Sequence, residues 1–174
     1  MGIRLFLINS ITKLIPPTRF YKTKSFLYQF SGVRIGKTAR IVSSVDIWGN
    51  GSVSIGENTF IGHNVLIITG KAPISIGNNV DIGPMSILVN GTHHIDMNGM
   101  RTAGQGVSYS IKIEDGVWIG ASSTILGGTT IGEKSIIAAG SVVNKDIPPF
   151  CMAAGVPCKT IKIWDKTLGK WLPV

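Results

Sequence analysis

An aliphatic residue returns every six positions along most of this chain, usually followed by glycine. Ile35-Gly36, Ile55-Gly56, Ile61-Gly62, Ile76-Gly77, Ile82-Gly83, Ile119-Gly120 and Ile131-Gly132 show the pattern. The longest unbroken run has Ile at 113, 119, 125, 131 and 137 and Val at 143. Four positions after the aliphatic residue stands a small or β-branched one, as at Ala39, Val45, Thr59, Val65, Val80, Ser86, Val117, Ser123, Thr129, Ser135 and Ser141. That residue and the next aliphatic one are two apart, so in an extended chain they face the same way. Each unit therefore predicts a very short strand with both ends inward and the residue between them outward. A corner fills the next three positions. Its last residue is often Asn or Gly (Asn58, Asn64, Asn79, Gly116, Gly128, Gly140), residues that tolerate a left-handed backbone. A fixed six-residue period predicts an all-β fold, a parallel β-helix. An ordinary β-sandwich would need longer alternating strands.

The units group in threes, with sides beginning at 35, 41, 47; 55, 61, 67; 76, 82, 88; 113, 119, 125; and 131, 137, 143, giving five triangular coils. Successive coils start 20, 21, 37 and 18 residues apart, and every excess over 18 falls after a third side. The insertions thus project from one corner of the prism, and loops gathered on one edge of a rigid scaffold are where function concentrates. The largest excursion runs from His94 to Ser110. The organisation expected is a basic amphipathic cap over 1–30, a repeat domain over 31–150 with a long loop at 94–110, and a C-terminal loop and helical tail over 151–174.

Composition narrows this picture. A chain of 174 residues supports one core domain with short ends. Its 44% hydrophobic and 7% aromatic content suits a prism filled by Ile and Val. Two cysteines, Cys151 and Cys158, make no disulfide framework, and a reducing cytoplasm is the expected compartment. No apolar run approaches the ~20 residues of a membrane-spanning helix. The stretch from Ile3 to Ile8, interrupted by Arg4 and without a small-residue cleavage site, does not read as a signal peptide.

The net charge of +8 is unevenly placed: residues 1–45 hold eight Lys or Arg and no acid, whereas 46–158 hold five basic and eight acidic residues. The first segment reads as an amphipathic helix with Ile3, Leu7, Ile11, Leu14 and Ile15 on one face. It either caps the open end of the solenoid or makes a peripheral contact with an anionic membrane or a pyrophosphate-linked lipid. Nucleic acid is not an expected partner, since no recognition motif or aromatic platform accompanies the charge.

Three stretches carry a resemblance: Ile111–Ala121, Gly140–Pro149 and Ala153–Cys158. Through them, and over roughly 55–163, the chain resembles the left-handed β-helix acyltransferases with hexapeptide repeats, especially the maltose, galactoside and polysaccharide O-acetyltransferase branch. Left-handed coiling is what this resemblance implies; periodicity does not reveal the hand. Its N-terminal region is shorter and more basic than that of the galactoside type, and closer to enzymes of polysaccharide assembly.

The resemblance implies an enzyme that moves acetyl from acetyl-CoA, as co-substrate and without a metal, to a sugar hydroxyl. The implied assembly is a homotrimer with active sites between subunits. His93, in the outward slot of the unit starting at Leu88, matches the family's general base, and an imidazole titrating near neutrality suits that work. Its neighbour His94 becomes the base if the register slips by one. Trp118 is an outward-facing aromatic at a position the family places in the intersubunit groove, serving acceptor or CoA, or else it only packs subunits together. His63 occupies a corner where relatives place an acceptor-contacting polar residue, or is a solvated turn residue. Asp81 and Asp96 are both able to orient an imidazole. Arg101 and Tyr109 lie where the long loop would shape the acceptor site. CoA would follow backbone near Ala121, Ala139 and Gly140, with Lys145, Lys159 and Lys162 near its phosphates or simply solvated. A three-histidine zinc site, as in the γ-class carbonic anhydrases that share this repeat, fits poorly with adjacent His93 and His94. No Ser or Cys nucleophile stands out, so direct transfer is expected. The alternatives are an N-acetyltransferase for an amino sugar nucleotide and a non-enzymatic β-helix scaffold or binding module.

Overall fold

The computed structural model describes residues 2–174. Its body is a triangular prism of stacked parallel strands. The first face stacks Arg34–Ile35, Val53–Ile55, Ile74–Ile76, Ile111–Ile113 and Thr129–Ile131 in that order. The second stacks Arg40–Ile41, Phe60–Ile61, Asp81–Ile82, Trp118–Ile119, Ile136–Ile137 and Cys151–Ala154. The third stacks Asp46–Gly49, Leu66–Thr69, Ile87–Val89, Thr124–Leu126 and Val142–Val143.

The six-residue period builds this prism directly. Every repeating aliphatic residue from Ile35 to Val143 is buried, as is each small residue four positions on. Register sets like on like, pairing Ile55 with Ile76, Ile61 with Ile82 and Ile67 with Leu88. Inward hydroxyls are satisfied locally: Thr59 donates to the Gly77 carbonyl at 2.7 Å and Ser135 to the Pro148 carbonyl at 2.7 Å. Corner residues adopt the left-handed backbone at Asn58, Asn64, Asn79, Gly116, Gly128 and Gly140, and in the same slot at Met85, Ser122 and Lys134. Gly120 shows why glycine follows seven of the fifteen aliphatic positions, since a Cβ there would lie 2.5 Å from the Ala139 backbone nitrogen of the next coil.

Two helices close the N-terminal end, α1 (Gly2–Thr12) and α2 (Tyr21–Phe30). Their polar side chains supply partners for the first coil, whose strand edges would otherwise lie bare. Asn9 donates its amide to the Ile47 carbonyl at 2.9 Å and accepts the Ile47 N–H at 3.3 Å. The buried Tyr28 hydroxyl lies 3.0 Å from Asn9 Oδ1 and 2.9 Å from the Val45 carbonyl, and burial pushes its pKa up to about 12. The buried Lys24 ammonium donates to the Pro17 carbonyl at 2.7 Å and to Ser43 Oγ at 3.1 Å, and burial pushes its pKa down. The segment packs across the open end of the first coil, but not through the expected row of apolar residues. The face that packs inward carries Leu5, Ile8, Asn9 and Thr12, not the Ile3, Leu7, Ile11 and Leu14 row, which is exposed.

The expected C-terminal helical tail is also corrected. Residues 151–174 form the strand Cys151–Ala154 and an antiparallel hairpin, Lys159–Asp165 with Lys170–Pro173, which extends the second face. Ile161, Ile163, Trp164 and Trp171 are β-branched or aromatic and favour pleated chain over helix. The Asp165 carboxylate accepts the Thr167 and Leu168 N–H groups at 2.8 and 2.9 Å, and Gly169 turns the chain with φ +61.

Candidate functional site

The 94–110 excursion is not an open loop. It is a two-stranded antiparallel hairpin, Gly91–Ile95 with Ala103–Ser108, standing on the corner between third and first faces. Its base is fixed by buried Asn90, whose side chain accepts the Gly70 N–H at 2.6 Å and donates to the Ala72 carbonyl at 2.8 Å. Ser108 Oγ accepts the Lys71 and Ala72 N–H groups at 3.0 and 2.9 Å. Above that base everything is solvated, and Gly91 through Ala103 are all exposed.

His93 pairs with Gly106 across the hairpin, and its ring lies over that glycine. A Cβ added at Gly106 would be 3.8 Å from both Cδ2 and Nε2 of His93. That is ordinary van der Waals contact, so Gly106 faces the imidazole but is not needed to admit it. His94 is the next strand residue, so its side chain leaves on the opposite side. The pairing shifts between His93 and Ile95, a bulge that re-aims side chains locally. Of the two acids able to orient an imidazole, Asp96 is committed elsewhere: its Oδ1 accepts the Asn98 and Gly99 N–H groups at 3.0 and 2.8 Å in the hairpin tip. Arg101 is exposed at that tip, and Tyr109 is exposed at the base. Lys145 is exposed on the same corner one coil beyond Gly127-Gly128.

The remaining candidates lie elsewhere on the prism. Asp81 and Trp118 are adjacent in register on the outside of the second face, between Phe60 and Ile136. Lys159 and Lys162 extend that face in the C-terminal hairpin. In a triangular cross-section, the second face lies opposite the corner that bears His93. His63, Ala121, Ala139 and Gly140 form a third group on the corner between second and third faces. There Ser44 Oγ lies 3.4 Å from His63 Nδ1, and the Gly140 N–H donates to the Ala121 carbonyl at 2.9 Å. Ala121, Ser122, Ala139 and Gly140 make this corner a track of small residues with approachable backbone.

The carboxyls with depressed pKa values lie at none of these places. They staple coils together on the corner between first and second faces. Hydrogen bonds from Thr38 and Lys37 hold the Glu57 carboxyl below the usual range, as Asn78 does for Asp115. The Lys112 ammonium, 2.7 Å from Glu114, lowers that carboxyl. A groove of about 360 Å³ beside Lys112, Glu114, Asp115 and Glu133 belongs to this ladder. Burial pushes the thiols of Cys151 and Cys158 up, away from the reactive thiolate. Among the described residues no three His, Cys, Asp or Glu side chains gather as a metal site would require. No helix among them is long and apolar enough to cross a membrane.

Two repeat families match the chain: "Bacterial transferase hexapeptide (six repeats)" over residues 110–145 and "Hexapeptide repeat of succinyl-transferase" over 52–84. A solved hexapeptide-repeat-containing acetyltransferase from Vibrio cholerae is 30% identical, with a TM-score of 0.69 and 93% of each chain covered. The chain belongs to the hexapeptide-repeat acetyltransferase family. A maltose O-acetyltransferase from Clostridium difficile is 30% identical with a TM-score of 0.67, covering 94% of this chain and 88% of that one. The galactoside O-acetyltransferase of Escherichia coli is 36% identical over 133 residues, 76% of this chain and 54% of that protein. The chain spans about half the length of the curated relatives it matches, 54% and 58% of the first two. The Vibrio protein has also been solved with acetyl coenzyme A bound.

Proposed function

We propose that this chain is an acetyl-CoA-dependent O-acetyltransferase acting on a sugar hydroxyl of a surface polysaccharide or its precursor, in the cytoplasm. The observation that carries the reading is His93 standing exposed, opposite Gly106, on a hairpin that the prism itself does not use. His93 accepts the proton of the acceptor hydroxyl as that oxygen attacks the thioester carbonyl. The C–O bond forms, and a backbone N–H stabilises the tetrahedral oxyanion. The C–S bond then breaks, and the CoA thiolate leaves with the proton returned by the imidazolium. General-base assistance of this kind contributes roughly 10²–10⁴-fold. The raised thiols of Cys151 and Cys158 support direct transfer over an acyl-enzyme.

His93 and Trp118 stand on opposite sides of one prism, so a site containing both is built between copies, as in a homotrimer. In that arrangement His93, Arg101, Tyr109 and Lys145 of one subunit face the second face of another, bearing Asp81 and Trp118, while His94 leaves the strand on the other side. The acetyl-CoA pantetheine arm fits the small-residue track at Ala121, Ala139 and Gly140, where no side chain blocks its amides from the backbone. Exposed Lys159 and Lys162 suit the phosphates. His63 lies on that same track and suits the acceptor.

Transfer to oxygen is favoured over transfer to an amino sugar nucleotide by two of the three relatives named above, the maltose and galactoside O-acetyltransferases. The experiment is a thiol-release assay with acetyl-CoA and a panel of sugars, polysaccharides and amino sugar nucleotides. His93→Ala should lower turnover by about 10²–10⁴-fold, while His94→Ala changes it little. Full turnover by His93→Ala would refute the base assignment. Turnover confined to amino sugars would establish N-transfer. No CoA binding and no turnover with any acceptor would leave the scaffold reading.

A further inference from the structure

The exposed face of α1 is little used within the fold, where its one aromatic contact is Phe6 with Trp48, ring centroids 6.4 Å apart. Its inward side already seals the prism through Leu5, Ile8, Asn9 and Thr12. Its other side presents Ile3 (77% exposed), Phe6 (54%), Leu7 (52%), Ile11 (47%) and, in the turn that continues the helix, Leu14 (86%). At 3.6 residues per turn these positions and Ser10 fall within one arc of about 140°. Ser10, the polar residue in that arc, turns its hydroxyl back to donate to the Phe6 carbonyl at 2.9 Å. The row is therefore apolar along its whole length, at odds with the polar outer face expected of a terminal cap.

Cations border the row. Arg4 lies on one edge and Lys13 on the other, where Lys13 pairs with Asp46 at 2.9 Å. Asp46 is also the first acid of the chain, after eight Lys and Arg residues. Of these eight all but the buried Lys24 are exposed: Arg4, Lys13, Arg19, Lys22, Arg34, Lys37 and Arg40. An apolar helical face bordered by cations matches the interface of an anionic bilayer, which takes the side chains into its acyl boundary and the cations at its headgroups. A second copy is a poorer occupant, because an isologous contact would bring two cationic ends together.

We infer that the outer face of α1 lies on an anionic lipid surface and holds the enzyme there peripherally. This is independent of the proposed chemistry. The test is co-sedimentation of the full chain with vesicles of phosphatidylcholine alone or mixed with phosphatidylglycerol. Binding should require the anionic lipid and weaken as salt is raised. Leu7→Ser with Ile11→Ser, both surface changes, should lower vesicle affinity by about tenfold or more with circular dichroism and melting temperature preserved. The inference is overturned if the native chain ignores anionic vesicles at low salt, or if the double variant binds as well as the native chain. It is also overturned if the double variant instead loses a concentration-dependent oligomer that vesicles do not capture, which would assign the face to a second copy. Should the double variant misfold, a Leu7→Cys chain labelled with an environment-sensitive dye decides the matter. A blue shift on anionic vesicles supports the inference and no shift overturns it.

Discussion

The same corner of the prism is turned in two ways. Between the fourth and fifth coils the chain passes from the third face to the first through Gly127 and Gly128 alone, from Leu126 to Thr129. Between the third and fourth coils the same passage runs from Val89 to Ile111 and raises a hairpin with His93 on it. Both coils on either side are equally buried and equally in register. Two residues are therefore all that the scaffold asks of this corner. The hairpin is material beyond that need, and residues 91–103 remain solvated in the isolated chain. Stability belongs to the stacked coils and chemistry to what stands on them.

Breaking the body should show in stability above all. Ile119 is fully buried between Ile82 and Ile137, and Ile119→Ala should cost about 2–5 kcal/mol, measured by denaturant unfolding. The cap sharpens the contrast through Tyr28, whose folded pKa of about 12 exceeds its unfolded 10.0. Folding favours the neutral phenol, so this contribution is complete below pH 10 and is lost as pH rises through about 12. A shift of that size is worth roughly 3 kcal/mol. Tyr28→Phe should flatten the alkaline limb of stability against pH; an unchanged limb would place the titration elsewhere. Lys24 acts in the opposite sense, because its lowered pKa makes stability grow as pH rises toward 10.5. At the small end, Lys112→Gln breaks an exposed, solvent-screened pair with Glu114 and should leave the denaturant midpoint essentially where it was. A clear drop in the midpoint would mean the corner ladder is cooperative.

Most of the prism was legible in the sequence because each unit repeats one local rule. An aliphatic strand end on fifteen sides, a small residue four positions later on eleven of them and Asn or Gly at six of those corners act independently of distant context. The ends follow no repeat and were read less well. In α1 every turn offers apolar residues on both sides, so the helical period alone did not decide which side packs. Asn9 decides it, since its amide pairs with both the carbonyl and the N–H of Ile47 in the first coil, which Leu7 and Ile11 could not do. The C-terminal hairpin was missed because its strands obey ordinary alternation and not the six-residue rule. At the candidate site, the corner and the outward slot placed His93 on the page. The placement of His93 opposite Gly106 was hidden because it depends on antiparallel pairing between residues thirteen apart. The separation of His93 from Trp118 follows from which face each unit occupies, so it was implicit in the groups of three.

The most direct test removes the hairpin. Gly91 and Ser108 are paired across its base, so an Asn-Gly turn joining them replaces residues 92–107 with a connection of ordinary hairpin length. Asn90 and Ser108, which anchor the corner, are retained. The account predicts a cooperatively folded protein that melts within a few degrees of the native chain and releases no CoA thiol with any acceptor. Loss of cooperative folding, or acetyl transfer at the native rate, would contradict it.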